Sequence, residues 1–263
     1  MNVFITGASS GIGEALATEY ARRFQNKDTT IGLVARRSEH LQNLQSKLQE
    51  TYKIKCAIYP LDVRNHQALA TAAADFMQQH GTPDIVIACA GVSRGTLTEH
   101  VEDIAAFQAI MDINVMGLVH TFQPFIAAMR QAGQGQLVGV ASVAGIRGLP
   151  GAGAYSASKA AAISYLESLR VEMAQDNIAV TTIAPGYIRT PMTDVNQYKM
   201  PFLMDADVFA HKFANAVENK RRFCVIPWQM GWVARFMRFI PPFVWDFAMK
   251  KAPHKKRLDW DWL

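Results

Sequence analysis

The first residues whose spacing suggests chemistry are Tyr155 and Lys159, four positions apart in the run YSASK. In a helix that begins near residue 152, the two side chains lie on one face. A neighbouring ammonium group favours the phenolate, so we expect Lys159 to lower the pKa of Tyr155 from about 10 toward neutrality. A tyrosine tuned in this way exchanges a proton with an alcohol or carbonyl oxygen. Taken alone, such a pair more often belongs to an ordinary exposed helix face.

A glycine-rich turn near the amino terminus is the second candidate. Residues 7–13 (GASSGIG) lie between a predicted strand, Asn2–Thr6, and a predicted helix, Gly13–Phe24. Glycines let the backbone turn tightly and approach a pyrophosphate at the positively polarised start of a helix. The strand before the turn and the helix after it favour dinucleotide binding over a plain strand-to-helix connection.

The end of the second predicted strand indicates which dinucleotide would bind. A carboxylate at this point would bind the ribose 2′-hydroxyl of NAD, but this chain has Arg36 and Arg37 after Ala35. Guanidinium groups suit the 2′-phosphate of NADP. We therefore predict NADP, with Arg36 as the favoured contact; a solvated basic turn is the alternative. Asp62, after the third strand, is predicted either to accept a bond from the adenine amino group or to belong to a helix N-cap.

Short apolar runs alternate with helical patterns along the chain, and these elements must position the candidate residues. The strands are nearly continuous in apolar residues, which indicates burial on both faces. The repeated alternation predicts an α/β fold, a doubly wound parallel sheet of the Rossmann type with helices on both faces. The predicted strands are 2–6, 30–35, 55–61, 85–90, 136–141, 179–184 and 223–226, and the predicted helices are 13–24, 38–49, 65–79, 103–131, 152–175 and 205–219.

The composition favours one large domain, since half of the 263 residues are apolar. We assign the cofactor-binding and catalytic domain to 1–226 and an amphipathic basic extension to 227–263. Three cysteines without a CxxC pair indicate a reducing compartment. The first strand begins at Asn2 and no apolar run reaches about 18 residues, so we expect no signal peptide, no spanning helix and a cytoplasmic location.

Taken together, the motifs resemble the short-chain dehydrogenase/reductase family over residues 1–226. The glycine spacing TGxxxGxG with YxxxK is that of its reductase branch, not of its extended epimerase/dehydratase branch. One departure is Cys89, where the family usually has asparagine; we expect a small buried hydrophobe there and not a reactive thiol. The motifs are the glycine turn, Asp62, CAG at 89–91, NVMG at 114–117, Ser142, the pair Tyr155 and Lys159, and Pro185-Gly186 with Thr190.

Position by position, the resemblance implies a hydride-transfer site. Tyr155 would be the general acid in carbonyl reduction and the base in alcohol oxidation, while Lys159 would bind the nicotinamide ribose. Ser142 would hold the reacting oxygen, and Asn114 would kink its helix and position a water that links Lys159 to solvent. The cofactor contacts that the motifs and the resemblance imply are Gly7, Ser9, Ser10, Gly11, Ile12, Gly13, Arg36, Arg37, Asp62, Val63, Ala90, Gly91, Tyr155, Lys159, Pro185, Gly186, Ile188 and Thr190.

The segment 187–204 follows the sixth strand, where this fold carries its substrate loop. Its methionines and aromatic residues predict a mobile lid over an apolar substrate. We therefore predict an NADP-dependent oxidoreductase that interconverts a carbonyl and an alcohol on an apolar small molecule. A noncatalytic NADP-binding module that senses redox state is the alternative, against which the complete set of proton-transfer residues argues.

Partners are predicted from the resemblance and from ligand spacing. The family usually associates through helices equivalent to 103–131 and 152–175, so we expect a homodimer or homotetramer. The His, Cys and Asp residues show no metal-ligand spacing, so no metal is expected.

The positive charge is concentrated at the carboxyl end. From Lys220 onward ten bases and three acids give +7, whereas the preceding residues give −2. In 228–240, aromatic residues including Trp228 and Trp232 occupy one half of a helical wheel. This pattern predicts either peripheral contact with an anionic membrane, at its inner face, or packing on the protein's own substrate loop or a second subunit. No nucleic acid is expected, because no recognition motif accompanies the charge.

Overall fold

Seven parallel strands form a single sheet in the order β3-β2-β1-β4-β5-β6-β7. The computed structural model of the protein describes residues 1–25, 27–196, 198–252, 254, 255 and 257. The predicted doubly wound α/β fold is confirmed, with all seven strands close to their predicted positions. The strands are β1 (Asn2–Thr6), β2 (Thr30–Ala35), β3 (Lys55–Pro60), β4 (Ile85–Ala88), β5 (Gly135–Val140), β6 (Ile178–Pro185) and β7 (Phe223–Ile226).

Helices connect the strands and cover both faces of the sheet. Those helices are α1 (Gly11–Phe24), α2 (Ser38–Tyr52), α3 (His66–His80), α4 (Asp103–Met111), α5 (Gly117–Ala132), α6 (Gly153–Glu172), α7 (Pro191–Asp194), α8 (Ala206–Glu218), α9 (Trp228–Phe239) and α10 (Pro242–Met249). Helices α1, α2 and α8 pack on one face, and α3, α5 and α6 pack on the other.

Burial on both faces explains why the strands are almost uninterrupted in apolar residues. Every residue of β2 is buried. On the α3 and α5 side, the ring of Phe4 lies 5.4 Å from that of Phe76 and 4.8 Å from that of Phe125, centroid to centroid. Offset contacts between aromatic rings add to the burial of apolar area in such a core.

The strand order reverses between β1 and β4, and this reversal positions the candidate site. After β1 the chain moves outward through β2 and β3, then returns to β4 on the other side of β1. Loops that leave such a pair of strands at their carboxyl ends diverge, which opens a crevice for a ligand. Thr6 and Ala88 are paired neighbours at those ends, so the glycine turn and residues 89–91 meet in this crevice.

The predicted helix 103–131 is interrupted. A π-helical turn, Asp112–Met116, separates α4 from α5. Contrary to the expectation that no run is apolar enough, Asp103–Ala132 is long and apolar enough to cross a membrane by length and composition. However, Phe122 and Phe125 of this run are fully buried among core side chains, so the run serves as a core element of the domain.

The C-terminal extension is helical, as its apolar periodicity predicts, but the aromatic face of α9 points outward. Trp228, Trp232 and Phe236 are exposed, whereas Met230 and Ala234 on the opposite face are buried. The prediction that the aromatic face packs on the protein's own substrate loop is therefore wrong. The smaller residues of the opposite face pack closely on the domain and fix this orientation.

Candidate active site

The glycine turn is shaped by contacts that exclude a side chain. Gly7 has φ +75°, and a Cβ there would lie 2.7 Å from the Cα of Ala90. Gly11 has φ +57°, and a Cβ on Gly13 would overlap the carbonyl oxygen of Gly7. L-residues rarely adopt such φ values, so the turn and the 89–91 segment pack at backbone distance and leave the start of α1 open to a ligand.

Both predicted arginines lie at the rim of the crevice, but their partners differ. The Arg37 guanidinium donates to the hydroxyl oxygens of Ser9 at 3.1 Å and Ser10 at 2.9 Å. The Arg36 guanidinium lies 3.8 Å from the carboxylate of Asp62. Arg37 thus stabilises the glycine turn through hydrogen bonds, and Arg36 lies beside Asp62, where the adenosine of the dinucleotide is predicted to bind.

Asp62 is hydrogen-bonded to a residue of the same loop, Arg64. Its carboxylate accepts hydrogen bonds from the Arg64 backbone N–H and guanidinium, both at 2.9 Å. Burial alone would raise the pKa of Asp62, but these bonds outweigh it, so the pKa is lowered and the group is ionised. The N-cap alternative is wrong, because Asn65 caps α3 by accepting from the Ala68 N–H at 3.0 Å.

The proton-transfer candidates converge from two elements. Helix α6 carries Tyr155 and Lys159, and Ser142 follows β5 as the cap of a short 3₁₀ turn, where its hydroxyl accepts from the Ala144 N–H at 3.1 Å. Lys159 is buried and donates to the carbonyl oxygen of Val140 at 2.9 Å. Burial lowers the pKa of Lys159 to about 8, so its ammonium exchanges protons near neutral pH.

The pKa of Tyr155 differs from the sequence-based expectation. Burial raises it, and a hydrogen bond with Ser142 offsets this only in part. The Lys159 ammonium lies 5.9 Å from the centroid of the Tyr155 ring. The expected net lowering by Lys159 is therefore wrong here: desolvation dominates, and the phenol is protonated at neutral pH.

Asn114 lies within the π-helical turn, in agreement with the expected irregularity of its helix. Its amide oxygen accepts from the Val92 N–H at 2.8 Å, and its amide nitrogen donates to the Val92 carbonyl at 2.9 Å. A Cβ on Gly91 would lie 3.2 Å from the Asn114 oxygen and 3.5 Å from the Lys159 nitrogen. Asn114 therefore holds the loop after β4 in place next to Lys159.

A single cavity of about 350 Å³ joins these groups. Every predicted site residue except Asn114 lines it, from the glycine turn through Ser142, Tyr155 and Lys159 to Thr190. Thr190 forms a capping box with Thr193 at the start of α7, and this second threonine was missed because its role depends on the cap. The cavity is also lined by residues outside the predicted site, including Ala35, Leu61, Val92, Ile113, Val140, Ala141 and Pro191.

A C-terminal strap, residues 250–257 as far as they are described, reaches the ring of Tyr155. The Lys255 ammonium lies 5.9 Å from the Tyr155 ring centroid and donates to the Ser93 hydroxyl at 2.8 Å. Burial and the charge of Arg94 lower the pKa of Lys255 to about 8. The Arg257 guanidinium binds both carboxylate oxygens of Asp103, at 2.8 and 3.1 Å. The hydrogen bonds of Lys255 and Arg257 join residues more than 150 positions apart, so no local pattern predicts them.

Two further predictions concern cysteine and metal chemistry. Burial raises the pKa of the Cys89 thiol to about 12, which opposes a reactive thiolate. Cys89 is only partly buried and lines the cavity, so the expectation of a small buried hydrophobe is met in part. Within the described ranges, no three His, Cys, Asp or Glu side chains cluster as metal ligands.

Comparisons with known proteins identify the family. The short chain dehydrogenase family model matches residues 1–200. An uncharacterized oxidoreductase of Myxococcus xanthus is 33% identical over 247 residues, which cover 94% of this chain and 95% of that protein. The 11-beta-hydroxysteroid dehydrogenase-like 2 of Arabidopsis thaliana is 32% identical over 265 residues, which cover 97% of this chain and 84% of that protein.

A solved structure has the same fold. The short-chain dehydrogenase from Sphingobium yanoikuyae in complex with NADPH superimposes with a TM-score of 0.77 at 23% identity, covering 92% of this chain and 96% of that one. The motifs found in the sequence, the cavity they line and the family match over residues 1–200 lead to one conclusion: the chain belongs to the short-chain dehydrogenase family of oxidoreductases.

Proposed function

We propose that this protein is an NADP-dependent oxidoreductase that interconverts a carbonyl and an alcohol on an apolar small molecule. The observation that carries the proposal is the single cavity in which the glycine turn and Arg36 are continuous with Ser142, Tyr155 and Lys159. A redox sensor without catalysis needs the first part of this cavity but has no use for the second.

The chain offers a fitting cradle for the dinucleotide. Positive φ at Gly7 and Gly11, together with the close approach to Ala90, leaves room for a pyrophosphate at the start of α1. Arg36 would bind the 2′-phosphate, and Thr190 with the Ile188 backbone would hold the carboxamide. A bound nicotinamide supplies or accepts the hydride at the carbon that carries the reacting oxygen.

The protein's own groups handle the proton. In reduction, the protonated Tyr155 phenol donates its proton to the carbonyl oxygen as negative charge develops there, and Ser142 donates a hydrogen bond to the same oxygen. The raised pKa of Tyr155 keeps this acid protonated at neutral pH. Lys159, whose pKa is about 8, would bind the ribose hydroxyls and take part in returning a proton to the phenolate.

The substrate loop supports an apolar substrate. Tyr187 and Tyr198 meet edge to face with centroids 6.2 Å apart, and burial raises the pKa of both phenols, so neither adds a charge. Met192 lines the cavity. The steroid-dehydrogenase-like relative from Arabidopsis is consistent with a bulky apolar carbonyl compound.

The test is oxidation of NADPH and of NADH with a panel of sterol, lipid and aromatic ketones and aldehydes, each beside its alcohol in the reverse direction. We expect turnover of at least one apolar ketone or aldehyde, with NADPH preferred. Tight NADPH binding without turnover of any compound, combined with a conformational response to NADPH against NADP⁺, would favour the redox-sensing module instead.

Assembly and location form part of the proposal. Exposed apolar side chains on α4, at Ile104 and Phe107, and on α6, at Val171, support a homodimer or homotetramer through the family's usual helices. Light scattering during size-exclusion chromatography measures the mass, and a monomer would refute the assembly. We propose a cytoplasmic location with peripheral contact to the inner face of a membrane through the C-terminal extension.

A further inference from the structure

The most exposed apolar surface of the described chain lies on α9. Trp228 and Trp232 are each 64% exposed, Phe236 is 71% exposed and Phe239 is 83% exposed. Their spacing of four, four and three residues places them in one stripe of the helix. Soluble monomers rarely leave such a stripe uncovered, so it indicates a binding surface.

The outward orientation of this stripe is fixed by the packing of the opposite face. A Cβ on Gly186 would lie 2.8 Å from the Cγ of Met230, and Ala234 is 1% exposed. A Cβ on Gly231 would lie 3.4 Å from the Cβ of Val225 in β7. Because small residues let α9 lie directly on the sheet edge, the helix cannot rotate its aromatic stripe inward without losing this contact.

Helix α10 extends the surface. Phe243 and Phe247, one turn apart, are 74% and 86% exposed. Arg147 joins the two helices: its guanidinium donates to the carbonyl oxygens of Met237 and Ile240 at 2.6 and 2.7 Å, and it lies 4.7 Å from the Trp245 ring centroid. We call the six exposed aromatic residues on α9 and α10 the aromatic surface.

The charges around the aromatic surface are almost all positive. Between residues 228 and 252 there are four bases and one acid, a net charge of +3. Arg235 lies 5.6 Å from the Trp232 ring centroid, so cations and aromatic rings share the surface. A twofold contact between two copies would bring each basic set toward its own equivalent. An anionic lipid surface instead complements the charge and accepts the aromatic rings at headgroup depth.

We infer that α9 and α10 bind the surface of a membrane that contains anionic phospholipid, with the aromatic surface inserted at the headgroup boundary and the arginines among the phosphates. The inference gives a structural basis to the membrane contact proposed above, and it is independent of the proposed redox chemistry. No spanning segment is involved, because α9 has 12 residues and α10 has 8.

The test is co-flotation of the full-length protein with phosphatidylcholine vesicles, with and without phosphatidylglycerol, at low and high salt. The paired substitution Phe236→Ser with Phe239→Ser removes aromatic insertion, and Arg235→Gln with Arg238→Gln removes charge. Matched controls are Val101→Ser with Val208→Ser, which are exposed apolar residues outside α4, α6, α9 and α10, and Lys47→Gln with Lys212→Gln, which are exposed bases elsewhere. Circular dichroism and NADPH binding verify that each variant is folded.

We expect the wild-type protein to float with anionic vesicles. Each lost arginine should weaken partitioning about fivefold, so the double variant should lose roughly 25-fold. The phenylalanine variant should lose at least about tenfold at either salt concentration, and both controls should float like the wild type.

Absence of flotation at low salt overturns the inference. So does a change from dimer to monomer in the phenylalanine variant with flotation unaltered, since that result assigns the surface to a second copy. These flotation outcomes do not depend on whether the panel of ketones and aldehydes reveals a substrate.

Discussion

The amide nitrogen of Asn114 donates a hydrogen bond of 3.0 Å to the hydroxyl of Ser158, the residue immediately before Lys159. The Ser158 hydroxyl in turn donates to the Tyr155 carbonyl at 2.8 Å. The π-helical turn and the first turns of α6 are therefore held together through one buried serine. This link positions Tyr155 and Lys159 relative to the loop after β4.

We expect Asn114→Ala to destabilise the protein and to lower kcat. The substitution leaves the Val92 N–H and carbonyl without their partner, and an unsatisfied buried group costs about 1–3 kcal/mol. Urea unfolding and steady-state kinetics measure the two effects. Ser158→Ala is the matched control, because it removes the two hydrogen bonds of the Ser158 hydroxyl and leaves those between Asn114 and Val92 in place. If Ser158→Ala is as unstable as Asn114→Ala, the loss of stability does not come from the Val92 hydrogen bonds.

Arg36→Ala should weaken NADPH binding by roughly 10- to 100-fold and leave NADH binding almost unchanged, because only NADPH has a phosphate for a charge-assisted bond. Arg37→Ala is the comparison. Since Arg37 donates hydrogen bonds to Ser9 and Ser10 in the glycine turn, its loss should weaken the binding of NADPH and of NADH to a similar extent. Titration of protein fluorescence with each dinucleotide gives the dissociation constants, and equal losses for Arg36→Ala would refute the phosphate contact.

Glu19 should make folding stability depend on pH in the acid range. Burial would raise its pKa, but hydrogen bonds from Arg22, Arg23 and His211 outweigh burial and lower it to about 2 from 4.5. Because the folded-state pKa is the lower one, the stabilisation is complete above about pH 4.5 and is lost as the pH falls toward 2. The shift corresponds to roughly 3 kcal/mol.

Denaturant unfolding of Glu19→Gln between pH 2 and 7 measures this contribution. The variant should be less stable than the wild type at pH 7, and the difference should vanish toward pH 2. Glu39→Gln, at an exposed position on α2, should follow the wild type throughout. A constant difference at every pH would assign the loss to packing and not to ionisation.

Lys255→Met should raise the KM for the carbonyl substrate and leave NADPH affinity unchanged. The Lys255 ammonium lies near the Tyr155 ring and donates to the Ser93 hydroxyl. Lys255 does not line the cofactor cavity, so we expect it to contact the substrate and not the dinucleotide. We expect kcat/KM to fall about tenfold, the loss of one charge-assisted hydrogen bond. Lys251→Met, exposed in the same strap, is the control; a weakened NADPH complex in the Lys255 variant would contradict the placement.

Local patterns were enough to predict the fold, the glycine turn and the pair Tyr155 and Lys159, whereas most of the other predicted cavity residues were implied by the family resemblance. The strand-turn-helix context of Gly7–Gly13 and the four-residue spacing of Tyr155 and Lys159 depend on neighbours in the chain. The direction of the Tyr155 pKa was not predictable, because the degree of desolvation is set by segments that pack together only in the fold.

In the C-terminal extension, too, the outcome depends on packing between segments that are distant in the chain. Periodicity correctly predicted the aromatic stripe of α9, but the side that packs on β7 is chosen by the small residues Gly231 and Ala234. Likewise, the partners of Lys255 and Arg257 are more than 150 residues away in the chain. Hydrophobicity by itself therefore favoured a buried aromatic face, whereas close packing places that face outside.

Replacement of Tyr155 by phenylalanine tests the central claim most directly. The change removes one hydroxyl and keeps the aromatic ring, whose centroid lies 5.9 Å from the ammonium nitrogens of Lys159 and of Lys255. With the carbonyl substrate identified by the panel, we predict that turnover falls by about 10²–10⁴-fold while the dissociation constant for NADPH stays at the wild-type value. Turnover of Tyr155→Phe at the wild-type rate would contradict the assignment of Tyr155 as the proton donor.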